Sequence, residues 1–268
     1  MTARVGLAAL AATIAPGSLL AIPADYAGPA IAATLALIRQ GTGGLRLVTA
    51  PTAGLQADLL IGAGLVAEIE TAGISLGEWG SAERFRAAVA AGLTVRDATC
   101  PALHAGFQAA EKGVPFLPLR GVLGSDLLKV RPDWRVIDNP LADAPDPILL
   151  VPAIRPDVAL FHAALADSAG NVWIGLRREL ATLAHAARRT LVTVEALHPG
   201  NLLDDPLRAP GVLPHLYVDQ VAVVQGGAWP LPFPGVEGDE DALARYAEAS
   251  RDAAAFTHLI GAWLDGRD

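Results

Sequence analysis

The stretch Asp157-Val-Ala-Leu-Phe-His162, continuing through Ala-Ala-Leu-Ala-Asp167-Ser-Ala-Gly-Asn171 to Val-Trp-Ile-Gly175, decides the reading of the chain. Residues 157–162 are too few for a helix, and the run between its polar ends is uniformly apolar. They read as a strand covered on both faces, as in a parallel sheet between helices. Five residues after His162 comes a cluster of turn formers, with Gly170-Asn171 suited to left-handed backbone. One strand thus brings a histidine and a tight turn to the same edge of a sheet.

Outward from this strand, strands and helices alternate. Pro29 suits the first turn of a helix over 29–39 and Gly41 its end. A strand is expected over 45–50, a helix over 56–63 and mixed structure over 65–75. Ser81 is expected to cap a helix ending near Gly92, followed by a strand over 93–98 and a helix over 101–112 closed by Gly113. Further strands are expected over 146–151, 190–196 and 217–224, and a helix over 177–189. One long amphipathic helix is expected over 239–265, with acidic residues at its start. This alternation predicts an α/β fold with a mainly parallel open sheet covered by helices. No repeat or linker divides it, so residues 1–268 are expected to form one domain. The uncharged run 5–24 is broken by Pro16-Gly17 and predicts helix, turn and strand rather than a membrane span.

The totals narrow the function. With 268 residues, of which 52% are hydrophobic, the chain can bury a large core. A formal net charge of −8 excludes a general nucleic-acid or anionic-membrane surface, so a polyanionic ligand would need a local site. Cys100 is the single cysteine, which excludes an intrachain disulfide and a cysteine-rich zinc module and fits a cytoplasmic protein. The six histidines lack zinc-motif spacing, so no metal site is expected.

Several motifs have two readings each. Gly62-Ala-Gly64 is a G-x-G without the third glycine of a dinucleotide fingerprint. Arg120-Gly121-Val-Leu-Gly124-Ser125-Asp126 offers backbone N–H groups and a guanidinium to a carboxylate or phosphate, or is simply a tight turn. Ser125 lacks the G-x-S-x-G setting of a hydrolase nucleophile. Cys100 and His104, one helical turn apart, form either a nucleophile pair or ordinary packing. Glu78-Trp79-Gly80 follows an expected strand end, where open α/β proteins place ligands, and is otherwise an exposed loop acid. Glu68 and Glu70 are expected to face solvent or a partner.

The opening strand and turn resemble the signature of the family I coenzyme A transferases, α-subunit type. Co-linear support comes from Asp58-Leu-Leu-Ile-Gly-Ala-Gly64, Gly113-x-Pro-Phe-Leu-Pro-x-Arg-Gly121, Gly124-Ser-Asp-Leu127, Tyr217-Val-Asp-Gln-Val and Gln225-Gly-Gly-Ala228. Steroid-ring-opening CoA-thioester hydrolases are related. The resemblance implies a NagB/RpiA/CoA-transferase-like fold and a glutamate that attacks an acyl-CoA thioester, becoming a glutamyl-CoA thioester by way of an anhydride. Coenzyme A is then a substrate, with no permanently bound cofactor. The implied partner is a β-type subunit, in a heterotetramer of two chains of each type, with acyl-CoA and a carboxylic acid as substrates and no nucleic acid or membrane. The nucleophile is implied to lie on that partner, in a Glu-x-Gly setting that Glu78-Trp79-Gly80 echoes, so Glu78 is the in-chain candidate. Arg120, Gly121, Gly124, Ser125 and Asp126 would bind carboxylate or CoA groups. Gly62, Gly64, Gly226 and Gly227 would shape the cleft, and His162 would line it. One departure stands out: Pro23-Ala-Asp-Tyr26 replaces a Gly-Gly-Phe-like loop. That change brings a CoA-thioester hydrolase, or a non-catalytic acyl-CoA-binding subunit, into contention.

Overall fold

The computed structural model describes residues 2–266. Its strands, in chain order, are β1 (Ala3–Arg4), β2 (Leu19–Pro23), β3 (Leu45–Ala50), β4 (Val66–Thr71), β5 (Thr94–Asp97), β6 (Phe116–Leu119), β7 (Arg135–Asp138), β8 (Pro147–Pro152), β9 (Val158–Ala166), β10 (Val172–Trp173), β11 (Arg189–Leu197), β12 (Val212–Leu213) and β13 (Gln220–Val223). The helices are α1 (Leu7–Ala12), α2 (Ile31–Gln40), α3 (Leu55–Gly62), α4 (Glu83–Ala90), α5 (Cys100–Glu111), α6 (Leu127–Val130), α7 (Arg178–Ala186), α8 (Glu240–Ala249) and α9 (Ala253–Asp265).

The main sheet runs β1-β13-β11-β9-β2-β3-β4-β5, parallel throughout, with short β10 and β12 added antiparallel beyond β9. The opening strand lies at its centre. Successive residues of β9 point to opposite faces. Leu160 joins the cluster formed with Leu10 of α1, Leu37 of α2 and Leu60 of α3. Phe161 joins the opposite cluster, with Phe107 of α5 and Leu183 of α7. A strand covered by helices on both faces needs apolar residues at every position, which is why this run has no polar alternation.

The tight turn after β9 is built around Asp167. Its Oδ1 accepts the N–H groups of Ala169 (2.9 Å) and Asn171 (3.0 Å), and its Oδ2 accepts from the Asn171 side chain (2.8 Å) and from Leu202 N (2.9 Å). Gly170 supplies the left-handed residue at φ 91°, while Asn171 does not adopt positive φ.

Residues 146–151, expected within the parallel sheet, belong instead to a separate antiparallel sheet in the order β6-β8-β7. In β8 only Leu149 and Val151 are buried. That alternation marks a strand covered on one side, and its apolar composition concealed it. Glu68 and Glu70 also depart from expectation. They face arginines, with Glu70 2.6 Å from Arg131 and Glu68 3.6 Å from Arg96. Asp133 joins both guanidiniums, at 2.9 Å from Arg131 and 2.8 Å from Arg96.

The expected single helix over 239–265 is two helices, α8 and α9. The break falls at Ser250–Asp252, where Asp252 caps α9 by accepting from Ala254 N (2.9 Å) and Ala255 N (2.8 Å). Ser81 does not cap α4. Asp58 on α3 reaches across and accepts Phe85 N at 2.7 Å. Its other oxygen accepts the Tyr246 hydroxyl at 2.8 Å, tying α8 to α3. Burial pushes the Asp58 pKa up against these hydrogen bonds. Tyr246→Phe leaves that buried oxygen short of a donor and is expected to cost about 1–3 kcal/mol, measured by denaturant unfolding. Among the described residues no helix is long and apolar enough to cross a membrane.

Candidate functional site

The strands' carboxyl ends define the functional edge, where open α/β sheets place ligands. After β2 the chain enters a 3-10 turn, Asp25–Ala27, closed by Gly28. Gly28 is required twice over: its φ is 84°, and a Cβ there would lie 2.2 Å from the His162 carbonyl oxygen. That close approach lets His162 N donate to Gly28 O at 2.7 Å.

His162 is fully buried and aligned with Thr193 across the β9–β11 register. Its Nδ1 lies 2.8 Å from Thr193 Oγ1 and its Nε2 2.7 Å from Glu195 Oε1. A carboxylate only accepts, so Nε2 carries the proton and Nδ1 accepts from the threonine hydroxyl. Burial lowers the His162 pKa against the opposing pull of Glu195. The second Glu195 oxygen accepts Gly226 N at 2.8 Å. Gly227 covers the imidazole so closely that a Cβ would sit 2.5 Å from Nδ1. His162, Gly226 and Gly227 therefore come together. With both ring nitrogens engaged, His162 forms a neutral wall and has no nitrogen free for proton transfer to a ligand.

Two cavities open on this edge and share Tyr26. The first, about 530 Å³, is lined by His162, Ala163, Ala164, Ile174, Leu180 and Phe233, among others. Arg177 and Arg178 lie at its exposed rim, the Arg177 guanidinium 5.2 Å from the Tyr26 ring centre. The second, about 550 Å³, contains Asp25, Gly54, Ser75, Glu78 and Glu240. Glu78 is exposed there, on the 3-10 turn Gly77–Trp79 that follows β4.

Asp25 is the unusual acid of this region. Its Oδ2 accepts Leu55 N, at the start of α3, at 2.9 Å, while its buried Oδ1 has no hydrogen-bond partner. Burial pushes its pKa from 3.8 up to about 6, the Leu55 and Gly54 N–H groups pulling it down and the Asp58 charge adding to the rise.

The other sequence candidates lie apart. Gly62 packs α3 against α9: a Cβ would meet Phe256 at 2.5 Å. Gly64, with φ 72°, turns the chain toward β4 at the amino edge. The expectation that these two shape the His162 cleft gives way to helix packing and a turn. Arg120 is paired with Asp146 at 2.7 Å and borders a separate hollow with Gly121 on the small sheet. Within its loop, Ser125 Oγ accepts Leu127 N at 3.2 Å and Asp126 pairs with Lys129 at 2.6 Å. Gly124 turns this loop with φ 80°. No residue lines both the Arg120 hollow and the His162 cavity. Cys100 is exposed. Among the described residues no cluster of metal-binding side chains exists.

Sequence reasoning missed Thr193, Glu195, Asp25 and Arg177. One signal existed for the first two. Polar residues two apart in an apolar strand share a face, and here that face meets the histidine of the neighbouring strand.

Comparison with known proteins agrees with this geometry. The profile of a family described as coenzyme A transferase matches residues 7–223. The chain is 36% identical to a 3-oxoadipate CoA-transferase subunit from Pseudomonas knackmussii, covering 87% of this chain and 82% of that protein. It is 28% identical to the IpdA subunit of a cholesterol ring-cleaving hydrolase from Rhodococcus jostii, over 68% of this chain and 64% of that one. The crystal structure of glutaconate coenzyme A-transferase from Acidaminococcus fermentans superposes with a TM-score of 0.86 at 26% identity, covering 97% and 88% of the two chains.

Proposed function

Because the chain belongs to the coenzyme A transferase family, we propose that it is the α-type subunit of an enzyme that moves CoA between an acyl-CoA and a carboxylic acid. A β-type subunit completes the site, in a heterotetramer working in the cytoplasm. The observation that carries this reading is the commitment of Glu195. It contacts the cavity-lining His162, and both its oxygens already accept hydrogen bonds. Lone pairs held in that way are poor at attack, so the nucleophilic carboxylate comes from the partner.

The carboxylate attacks the thioester carbonyl and expels CoA thiolate, leaving an acyl anhydride. The thiolate then attacks the enzyme's carbonyl, releasing the first acid and leaving a glutamyl-CoA thioester. The acceptor acid repeats the two steps in reverse order. This chain provides the first cavity as a shaped wall, with Arg177 and Arg178 as cations at its rim. Binding energy from the remote parts of CoA is available for the reacting carbon.

Glu78 is the in-chain alternative to a partner nucleophile. With the β-type subunit present, Glu78→Ala is expected to retain turnover within about tenfold. A loss on the order of 10³-fold or more would assign the nucleophile to Glu78. The same assay separates transfer from hydrolysis of the thioester. Transfer requires an added acceptor acid, whereas free CoA appearing without acceptor identifies a thioester hydrolase.

A further inference from the structure

The first cavity differs in kind from one built for a small, doubly charged acid. Its walls are Trp173, Ile174, Leu180, Leu207 and Phe233, and its inner end is Ala163 and Ala164. The titratable side chain at that depth, His162, has both nitrogens bound within the protein. A carboxylate pushed inward would lose its hydration and find no cation, which is costly. The cations stand at the rim, where Arg177 and Arg178 are exposed.

At about 530 Å³ the cavity falls in the range, roughly 300–1,000 Å³, that encloses drug-sized ligands. A short linear chain would leave much of it to water beside apolar walls. Ala164 is decisive for the size. It lies two residues beyond His162 on the same strand, lines the cavity and is only half-buried, so a larger side chain would project into the space.

We infer that this cavity receives a bulky, mainly hydrocarbon acyl group, alicyclic or branched, with any further anionic group held at the Arg177–Arg178 rim, and that Ala164 sets the size limit. This inference deepens the proposed function and rests on it for the word acyl.

The test is titration of the complex of this chain with its β-type subunit, using adamantane-1-carboxylate, adipate and free CoA, each by calorimetry. Adamantane-1-carboxylate is expected to bind at least about tenfold more tightly than adipate, through burial of apolar surface. Ala164→Leu should weaken that ligand by about fivefold or more with an unchanged melting temperature. Leu207→Asp, which places a charge on an exposed wall position and leaves the core alone, should weaken it as well. Equal or tighter adipate binding, no binding of either acid, or no response to either variant would overturn the inference. Binding of CoA together with a preference for adipate would refute the cavity assignment and leave the proposed function standing. Binding of adamantane-1-carboxylate without CoA would do the reverse.

Discussion

Asp25→Asn is expected to make the protein more stable at neutral and alkaline pH, by on the order of 3 kcal/mol, and to make no difference near pH 4. The carboxyl group lies at the head of α3 with one oxygen bound to Leu55 N and the other buried and unpartnered. Burial raises its pKa from 3.8 to about 6. An acid whose pKa is raised by folding binds its proton more tightly in the native state. The native protein therefore holds more protons than the unfolded chain between those two values, and stability falls as pH rises through the window. Above about pH 6 the full cost of a buried charge is present; below 3.8 both states are protonated and the cost is gone. Asparagine keeps an acceptor for Leu55 N and carries no charge, so it mimics the protonated acid at every pH. Melting temperatures of the two proteins should diverge from about pH 4 upward and run parallel above about pH 7. A gap that stays constant with pH would show that Asp25 does not titrate in this window.

Glu195→Ala should be strongly destabilising, by about 2–4 kcal/mol, whereas Glu195→Gln should be tolerated. Alanine strands two donors, the fully buried His162 Nε2–H and the Gly226 N–H. For a chain of this length the loss corresponds to a fall in melting temperature of roughly 5–15 °C. Glutamine offers a different solution. Its oxygen accepts from Gly226 while its amide donates to His162 Nε2, which requires the ring proton to move to Nδ1 and point to Thr193 Oγ1. The two variants thus separate loss of hydrogen bonds from loss of charge. Nitrogen NMR of His162 reads the tautomer directly: Nε2–H in the wild type and Nδ1–H in Glu195→Gln. An unchanged tautomer in a stable Glu195→Gln protein would show that the hydrogen-bond assignment of this network is wrong.

The sequence made the parallel core legible because strands covered on both faces must be largely apolar, a mark that β9 carries plainly. It concealed β8 for the same reason, since the positions it does not bury are also apolar or proline. The break between α8 and α9 was hidden because apolar residues recur at helical spacing on both sides of the Asp252 cap. At the candidate site His162 and the Gly226-Gly227 pair were readable as neighbours of one edge. Their link, Glu195, was not, because an acid inside a strand reads as an outward-facing residue until its neighbour across the sheet is known. The distance between the Arg120 loop and the His162 cavity was beyond sequence for another reason: both lie in motifs of one family, and co-linearity carries no information about which motifs meet.

The Asp167 turn binds together two stretches that the chain keeps far apart. One carboxylate gathers N–H groups from its own hairpin and from Leu202, and Asn201 Oδ1 accepts from the Asn171 amide at 3.3 Å. Positions 167 and 171 therefore form a single heritable unit. Drift at 167 or 171 alone orphans polar groups in the interior, so in descendants of this protein those two should be retained or replaced together, while Ser168, which faces solvent between them, is free to wander.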